Sequence, residues 1–149
     1  MSDMFSMLQI SGSAMSAERQ RAEVVAANLA NANTTRTTEG GPYRRKEVVF
    51  SSTGSSPFRL AMQRIGHLLG APTAAVRVAN VVSDPASPLM RYEPGHPDAN
   101  PQGYVAYPAI NPIQEMVDLM GAVRAYQLNA SAVNASKQMF QQAIDILRG

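Results

Sequence analysis

At 149 residues with 45% apolar side chains, the chain has the length and apolar content of one ordinary domain. Only 16% of residues are charged, against roughly 25% in an average soluble domain, so much of the surface must be hidden within the chain or in a partner. With no cysteine there are no disulfides, no thiolate chemistry and no cysteine-held metal; a net charge of +2 is too small for a phosphate-tracking surface despite a pI near 9.2.

The N-terminus does not read as a cleavable secretory signal. Its first basic residue is Arg19, and the stretch Met4 to Ile10 is interrupted by Ser6 and Gln9. No run approaches the ~18 apolar residues that a membrane span needs. Residues 3–32 read as one helix, with Ser2 or Asp3 as its cap. Met4, Leu8, Ser11, Met15, Glu18, Ala22, Val25 and Leu29 recur in steps of four and three, a seven-residue repeat. Ser11 and Glu18 weaken that seam, so the helix is marginal without a packed partner.

"ANLANANT", Ala27 to Thr34, closes the helix with three asparagines. Asn28, Asn31 and Asn33 are expected to bond the last carbonyls, tolerate left-handed geometry at the exit and lock the helix to a neighbour. A polar connector follows, with Thr34, Thr35, Thr37, Thr38, Gly40, Gly41 and Pro42.

The middle of the chain is β-rich and full of turns. Tyr43 to Phe50, "YRRKEVVF", predicts a short strand; "SSTGSSP" at Ser51 to Pro57 reads as flexible, and Arg59 to Leu69 as a short helix. Ala75 to Val82, "AVRVANVV", is the clearest strand, and "YVAY", Tyr104 to Tyr107, a further one. Eight of the ten prolines lie in residues 72–112, so turns dominate there. The middle also holds the basic excess: residues 41–110 carry seven basic and four acidic side chains, residues 1–40 three and four, and residues 111–149 three and three.

Residues 112–147 predict a second long helix, with Asn111 at its cap and Pro112 in its first turn. Met116, Met120, Val123, Tyr126, Ala130, Val133, Lys137, Phe140, Ile144 and Leu147 follow in steps of three and four. Lys137 is the misfit and can snorkel; Asp118 and Arg124 read as exposed charges. The fold class expected is therefore mainly α with a small β insert, in three parts: 1–36, 37–110 and 111–149. The two long helices pair as a coiled-coil-like core.

A search for chemistry finds no phosphate loop, no zinc-protease helix and no nucleophile elbow. His67 and His96 pair with no other ligand, and His96 in "PGHPD" reads as a turn residue. Asp84, His96 and Asp98 could be imagined as an acid/base set, but their proline-flanked settings favour turn bonding. "RRK" at Arg44 to Lys46 admits a small helical nucleic-acid binder as an alternative, but an exposed strand edge whose charge repels pairing is the favoured reading. Neither catalytic nor cofactor nor metal residues emerge. Each terminal helix spans about 45 Å, too long to be buried by the insert, so its seam packs against the other helix or against other copies.

"ANLANANTT", Ala27 to Thr35, resembles the N-terminal motif of flagellar rod and hook proteins. "EPGHPDANPQGYVAYPAINPIQEMVDLMGAVRAYQLN", Glu93 to Asn129, resembles the bacterial flagellar basal-body rod family, and "KQMF" and "AIDILRG" near the C-terminus fit it too. The resemblance covers both ends and the chain from residue 75 onward; residues 51–70 match no pattern. It implies a proximal-rod subunit, with another flagellar axial subunit of the rod or hook type as the alternative, exported unfolded by the flagellar type III apparatus without a cleavable signal peptide. Such a subunit assembles helically in the periplasm into a torque-transmitting shaft around the export channel. The implied partners are other copies of itself, the rod proteins FlgB, FlgF and FlgG, the rod–ring adaptor FliE and the export apparatus. No cofactor, nucleic acid or membrane span is implied. The weak N-terminal seam suggests that both ends are disordered in the free monomer and order on assembly.

Overall fold

The computed structural model describes residues 2–52 and 75–148. Its elements are α1 (Ser2–Ala30), β1 (Lys46–Ser52), β2 (Val76–Ser83), β3 (Leu89–Tyr92), β4 (Tyr104–Tyr107) and α2 (Pro112–Arg148). The chain is mainly helical, with two long helices that pack together and two small two-stranded sheets, β1–β2 and β3–β4.

Both helices form where the sequence leaves them free to. No proline interrupts either one after its first turn, and Gly12 meets nothing within 4 Å of where a Cβ would sit, so it serves only as a weak helix former. At the start of α2 the Asn111 side chain accepts the Ile113 N–H at 3.0 Å, and its backbone carbonyl accepts the Glu115 N–H at 3.1 Å, a complete N-cap. The predicted strand at Tyr43 to Phe50 begins three residues later, at Lys46, because Tyr43 N–H is drawn back to the Thr34 carbonyl at 3.0 Å. β3 has no counterpart in the sequence reading. The predicted helix at Arg59 to Leu69, and all of "SSTGSSP" beyond Ser52, lie outside the described residues.

The chain divides into two compact units. The first holds Met1–Arg19, Phe50–Ala79 and Val123–Gly149. Within it Phe5 and Phe140 bring the two helices together with ring centroids 5.7 Å apart. The Ser13 hydroxyl there accepts the Val76 N–H at 3.1 Å.

The second unit holds Gln20–Val49 and Asn80–Ala122. Here α1 and α2 run in opposite senses: Arg21 meets Asp118 and Asn28 meets Glu115. β3 and β4 form an antiparallel hairpin with Leu89 opposite Tyr107 and Tyr92 opposite Tyr104. Its long loop is tied internally. The Glu93 N–H bonds the Gly103 carbonyl at 2.9 Å, Asn100 Oδ1 accepts both Gln102 and Tyr104 N–H, and the Tyr107 hydroxyl donates to Glu93 at 2.8 Å. Gly103 adopts φ +82°, a left-handed value that a side chain resists. Val105 on β4, opposite Arg91, is fully buried.

The buried apolar residues among those described are few and small: Ala17, Val25, Ala32, Val105, Ile110 and Ala122. Large apolar side chains are mostly on the outside, including Ile113, Met120, Leu128 and Ile146. Among the described residues, both helices and the β3–β4 hairpin keep large apolar side chains at the surface.

Candidate functional site

The most elaborate polar arrangement is built around Asn28, whose side chain is 0% exposed. Its Nδ2 donates to the Lys46 carbonyl at 2.8 Å and to Glu115 Oε2 at 3.0 Å. Its Oδ1 accepts the Lys46 N–H at 2.9 Å and the Tyr43 hydroxyl at 3.2 Å. Both amide protons and both lone pairs are therefore used. Toward Lys46 the amide behaves as one more peptide group of a strand, satisfying the N–H and C=O at the start of β1. Because the site excludes water, each of these bonds is costly to lose.

Glu115, 1% exposed, is the other half of the node. Arg45 Nε donates to its Oε1 at 2.6 Å, so the buried carboxylate has both a cation and an amide donor. Arg45 reaches Glu47 and, more loosely, Asp118 at 3.8 Å; Asp118 in turn lies 3.6 Å from Arg21. The middle of "RRK" thus points inward, and only Arg44 and Lys46 present exposed side chains. Asp118, read from sequence as an exposed charge, is half-buried between two arginines. Burial lowers the Arg45 pKa, but the bond and charge of Glu115 more than reverse that, leaving the guanidinium firmly charged. Burial, and then the nearby Glu115 carboxylate, push the Tyr43 hydroxyl above its ordinary range.

A second tie lies beside the first. The Thr35 hydroxyl donates to Asp98 at 2.7 Å, with Arg36 3.7 Å from the same carboxylate. His96 Nδ1 accepts the Asp98 N–H at 3.1 Å, and Asp84 accepts the Ala86 N–H at 2.8 Å. The Asp84 and His96 side chains do the turn bonding that their settings suggest, whereas the Asp98 carboxylate departs from it and ties the loop to Thr35 and Arg36. The open groove of about 310 Å³ between Thr35, Pro42, Asp98 and Val105 gathers no catalytic set. No group of three or more His, Asp or Glu side chains fit to hold a metal occurs among the described residues. No described helix is long and apolar enough to cross a membrane.

The three asparagines have different tasks. Asn28 makes the lock, and Asn31 caps the helix through its Nδ2, which donates to the Ala27 carbonyl at 2.8 Å. Asn33 is exposed. None of the three uses left-handed geometry, because no residue other than glycine has a positive φ among those described; the turn is closed instead by Ala32 and Thr34 N–H bonds to Leu29 and Asn31.

On α1, Val25 is buried and Leu8, Met15, Ala22 and Leu29 are half-buried; the Met4 side chain lies outside the described residues. On α2, Ala130, Val133 and Phe140 are half-buried, whereas Met116, Met120, Val123, Tyr126 and Ile144 are exposed; the Leu147 side chain is not among those described. The face of α2 buried within the chain is instead marked by Glu115, Ala122 and Ser136. Small side chains there let a neighbouring backbone approach closely. Sequence periodicity missed this face, since it registers large apolar residues, and it missed Glu115 as a partner for Asn28.

Comparison with known proteins bears on the same segments. Residues 8–36 match the family model described as "Flagella basal body rod protein", and residues 102–146 match "Flagellar basal body rod FlgEFG protein C-terminal". The chain is similar to "Flagellar basal-body rod protein FlgC" of Borreliella burgdorferi, 36% identical over 150 residues, covering 98% of this chain and 99% of that protein. The protein of that name from Bacillus subtilis is 39% identical over 146 residues (95% and 97%), and that from Escherichia coli O6:H1 37% over 143 residues (96% and 97%).

Proposed function

From the premise that the chain belongs to the flagellar basal-body rod protein family, we propose that Asn28 and Glu115 lock it in the form that enters the rod. It is a structural subunit of the bacterial flagellar basal-body rod, and it assembles with itself and with other rod components. Its role in our reading is mechanical. Segments 1–36 and 111–149 build the shaft, and 37–110 forms the insert, held to the shaft through Lys46 and Asp98.

The observation that carries this reading is the imbalance of the surface. Six small or medium apolar residues are buried among those described, while α2 exposes Ile113, Met116, Val117 and Met120 in its first turns. A self-sufficient domain hides such residues; a polymer subunit hides them in its neighbours. Placement in the proximal rod, helical assembly around an export channel, torque transmission, and contacts with FlgB, FlgF, FlgG and FliE follow as the finer parts of the proposal. So do export into the periplasm without a cleavable signal, passage through the type III apparatus and ordering of the ends on assembly.

The test is direct. Cells whose only copy carries an epitope tag should yield basal bodies with the tag in the rod, and deletion of the chain should abolish filaments and swimming. A tag absent from basal bodies, or normal swimming in the deletion strain, contradicts the proposal.

A further inference from the structure

Arg44, Arg45 and Lys46 lead into β1, where successive side chains alternate between two sides. Arg45 turns inward to the buried Glu115 carboxylate, which leaves Arg44 and Lys46 exposed on the other side. There they line an open pocket of about 200 Å³ with Thr37, Thr38, Glu39 and Ser83. Its walls are fixed by bonds that do not use the two cations. The Thr37 N–H bonds the Gly41 carbonyl at 2.8 Å across a turn in which Gly40 and Gly41 have φ of +86° and +77°. The Asp84 N–H bonds the Arg45 carbonyl, also at 2.8 Å, and so holds the end of β2 beside the entry to β1.

The basic side chains of the second unit fall into two groups. Arg21, Arg36 and Arg45 pair with carboxylates, and Arg91 lies over the Tyr107 ring at 4.7 Å. Arg44 and Lys46 pair with no carboxylate among the described residues; the Lys46 ammonium stands 5.8 Å from the Tyr43 ring. Glu39 lines the same pocket without reaching either cation, so the lining keeps a net positive charge. A cleft lined by one sign of charge concentrates its field on an incoming ion of the other sign. Arg offers a planar fork and Lys a mobile point charge, with the Thr38 and Ser83 hydroxyls in the same lining. That is a donor set for a carboxylate.

Another copy of this chain has few carboxylates to offer. Among the described acidic side chains, only Glu39, beside the pocket itself, and Asp145 lack a partner within the chain. Resting on the rod reading, we infer that the Arg44–Lys46 pocket holds an acidic side chain of a different rod component. The two outer residues of "RRK" then serve a partner, while the middle one serves the fold.

Lysine is scarce here, since Lys46 and Lys137 are the only two in the chain. A carbodiimide joins a lysine amine directly to a carboxylate in contact with it, so it reads this pocket with little background. Basal bodies from cells whose only copy is tagged are treated with carbodiimide, digested, and their linked peptides identified by mass spectrometry. Lys46 should be joined to an Asp or Glu of another rod protein. Lys46→Arg keeps the charge, and should keep swimming while losing that product. Lys46 left unlinked while other basal-body proteins cross-link overturns the pocket. So does Lys46 joined to a carboxylate of this chain, in the same copy or another. Independently, Arg44→Glu should lower rod incorporation about tenfold, because it sets like charges against each other. The unfolding midpoint of the purified variant should be unchanged, and Arg44→Lys should incorporate normally. Normal incorporation of Arg44→Glu, or a loss matched by a lowered midpoint, overturns the pocket too. Any of these failures with the unaltered chain present in rods disposes of the pocket alone and leaves the rod reading standing.

Discussion

Asn28 and Glu115, 87 positions apart in sequence, meet through a buried hydrogen bond of 3.0 Å that joins the end of α1 to the start of α2. The same asparagine holds the backbone of Lys46 on both sides, so one amide ties together both helices and the first strand. A residue that looks like a helix-end filler is the point where three segments of the chain are fixed in register.

Replacing Asn28 by Ala leaves the Lys46 N–H and C=O without their partner and removes one donor from a buried carboxylate. The expected loss is about 3 kcal/mol, since each unsatisfied buried group costs roughly 1–3 kcal/mol. Asn31→Ala removes one exposed helix-end bond and should cost about 0.5 kcal/mol. Denaturant unfolding followed by far-ultraviolet circular dichroism checks the ranking; equal effects of the two changes would refute it.

Glu115→Ala strands the Arg45 guanidinium beside an emptied pocket and should cost about 3 kcal/mol, in the range for breaking a buried pair. Glu115→Gln keeps the amide contact and should cost less. Because the pair is shielded from solvent, raising salt should change the stability gap between the unaltered chain and Glu115→Gln little. Unfolding midpoints at low and high salt measure this. A gap that collapses in high salt would place the pair in solvent instead.

Alkaline pH should loosen the fold. The Tyr43 hydroxyl has a folded-state pKa raised above its ordinary value of 10.0, by burial first and by Glu115 second. The folded chain therefore holds that proton more tightly than the unfolded chain. The resulting stability is fully present below about pH 10 and is lost as pH rises through the folded value. Tyr107, raised chiefly by its bond to Glu93, acts in the same direction. Tyr43→Phe should flatten the alkaline loss without removing the Tyr107 part. Unfolding curves collected from about pH 8 to about pH 11 check this. Superimposable pH profiles for the unaltered chain and Tyr43→Phe would disprove it.

At Gly103 an added Cβ would fall 2.8 Å from Tyr92 Cε2 and 3.2 Å from Pro94 Cβ, on a backbone already at φ +82°. Gly103→Ala should therefore destabilise the β3–β4 hairpin by about 2 kcal/mol, through both strain and overlap. Hydrogen exchange at the Glu93 and Tyr104 amides reports on the hairpin directly; unchanged protection in the variant would show that the loop absorbs the side chain freely.

Much of this arrangement was legible in the sequence, for identifiable reasons. The Asn111–Pro112 pair and the run of apolar residues in steps of three and four, with Lys137 its one misfit, announced α2, and the proline-rich "PGHPD" announced turns, because both signals are local. The intrachain face of α2 was not legible. A heptad count finds the stripe richest in large apolar residues, and Met116 and Met120 stand on the exposed side of this chain. Periodicity cannot tell a seam within one copy from a seam between copies. β3 escaped notice because four residues, Leu89–Tyr92, between prolines give no measurable alternation. The Arg45–Glu115 pair was invisible for another reason: "RRK" looks solvated when only its neighbours in sequence are considered, and its partner lies 70 positions away.

The most direct measurement is the composition of basal bodies from cells whose only copy of the chain carries Asn28→Ala. The expected result is a variant that is still exported but is missing from the rod, with swimming lost. Asn28→Ala found in rods at the normal level, in cells that swim normally, would contradict the lock at Asn28 and Glu115.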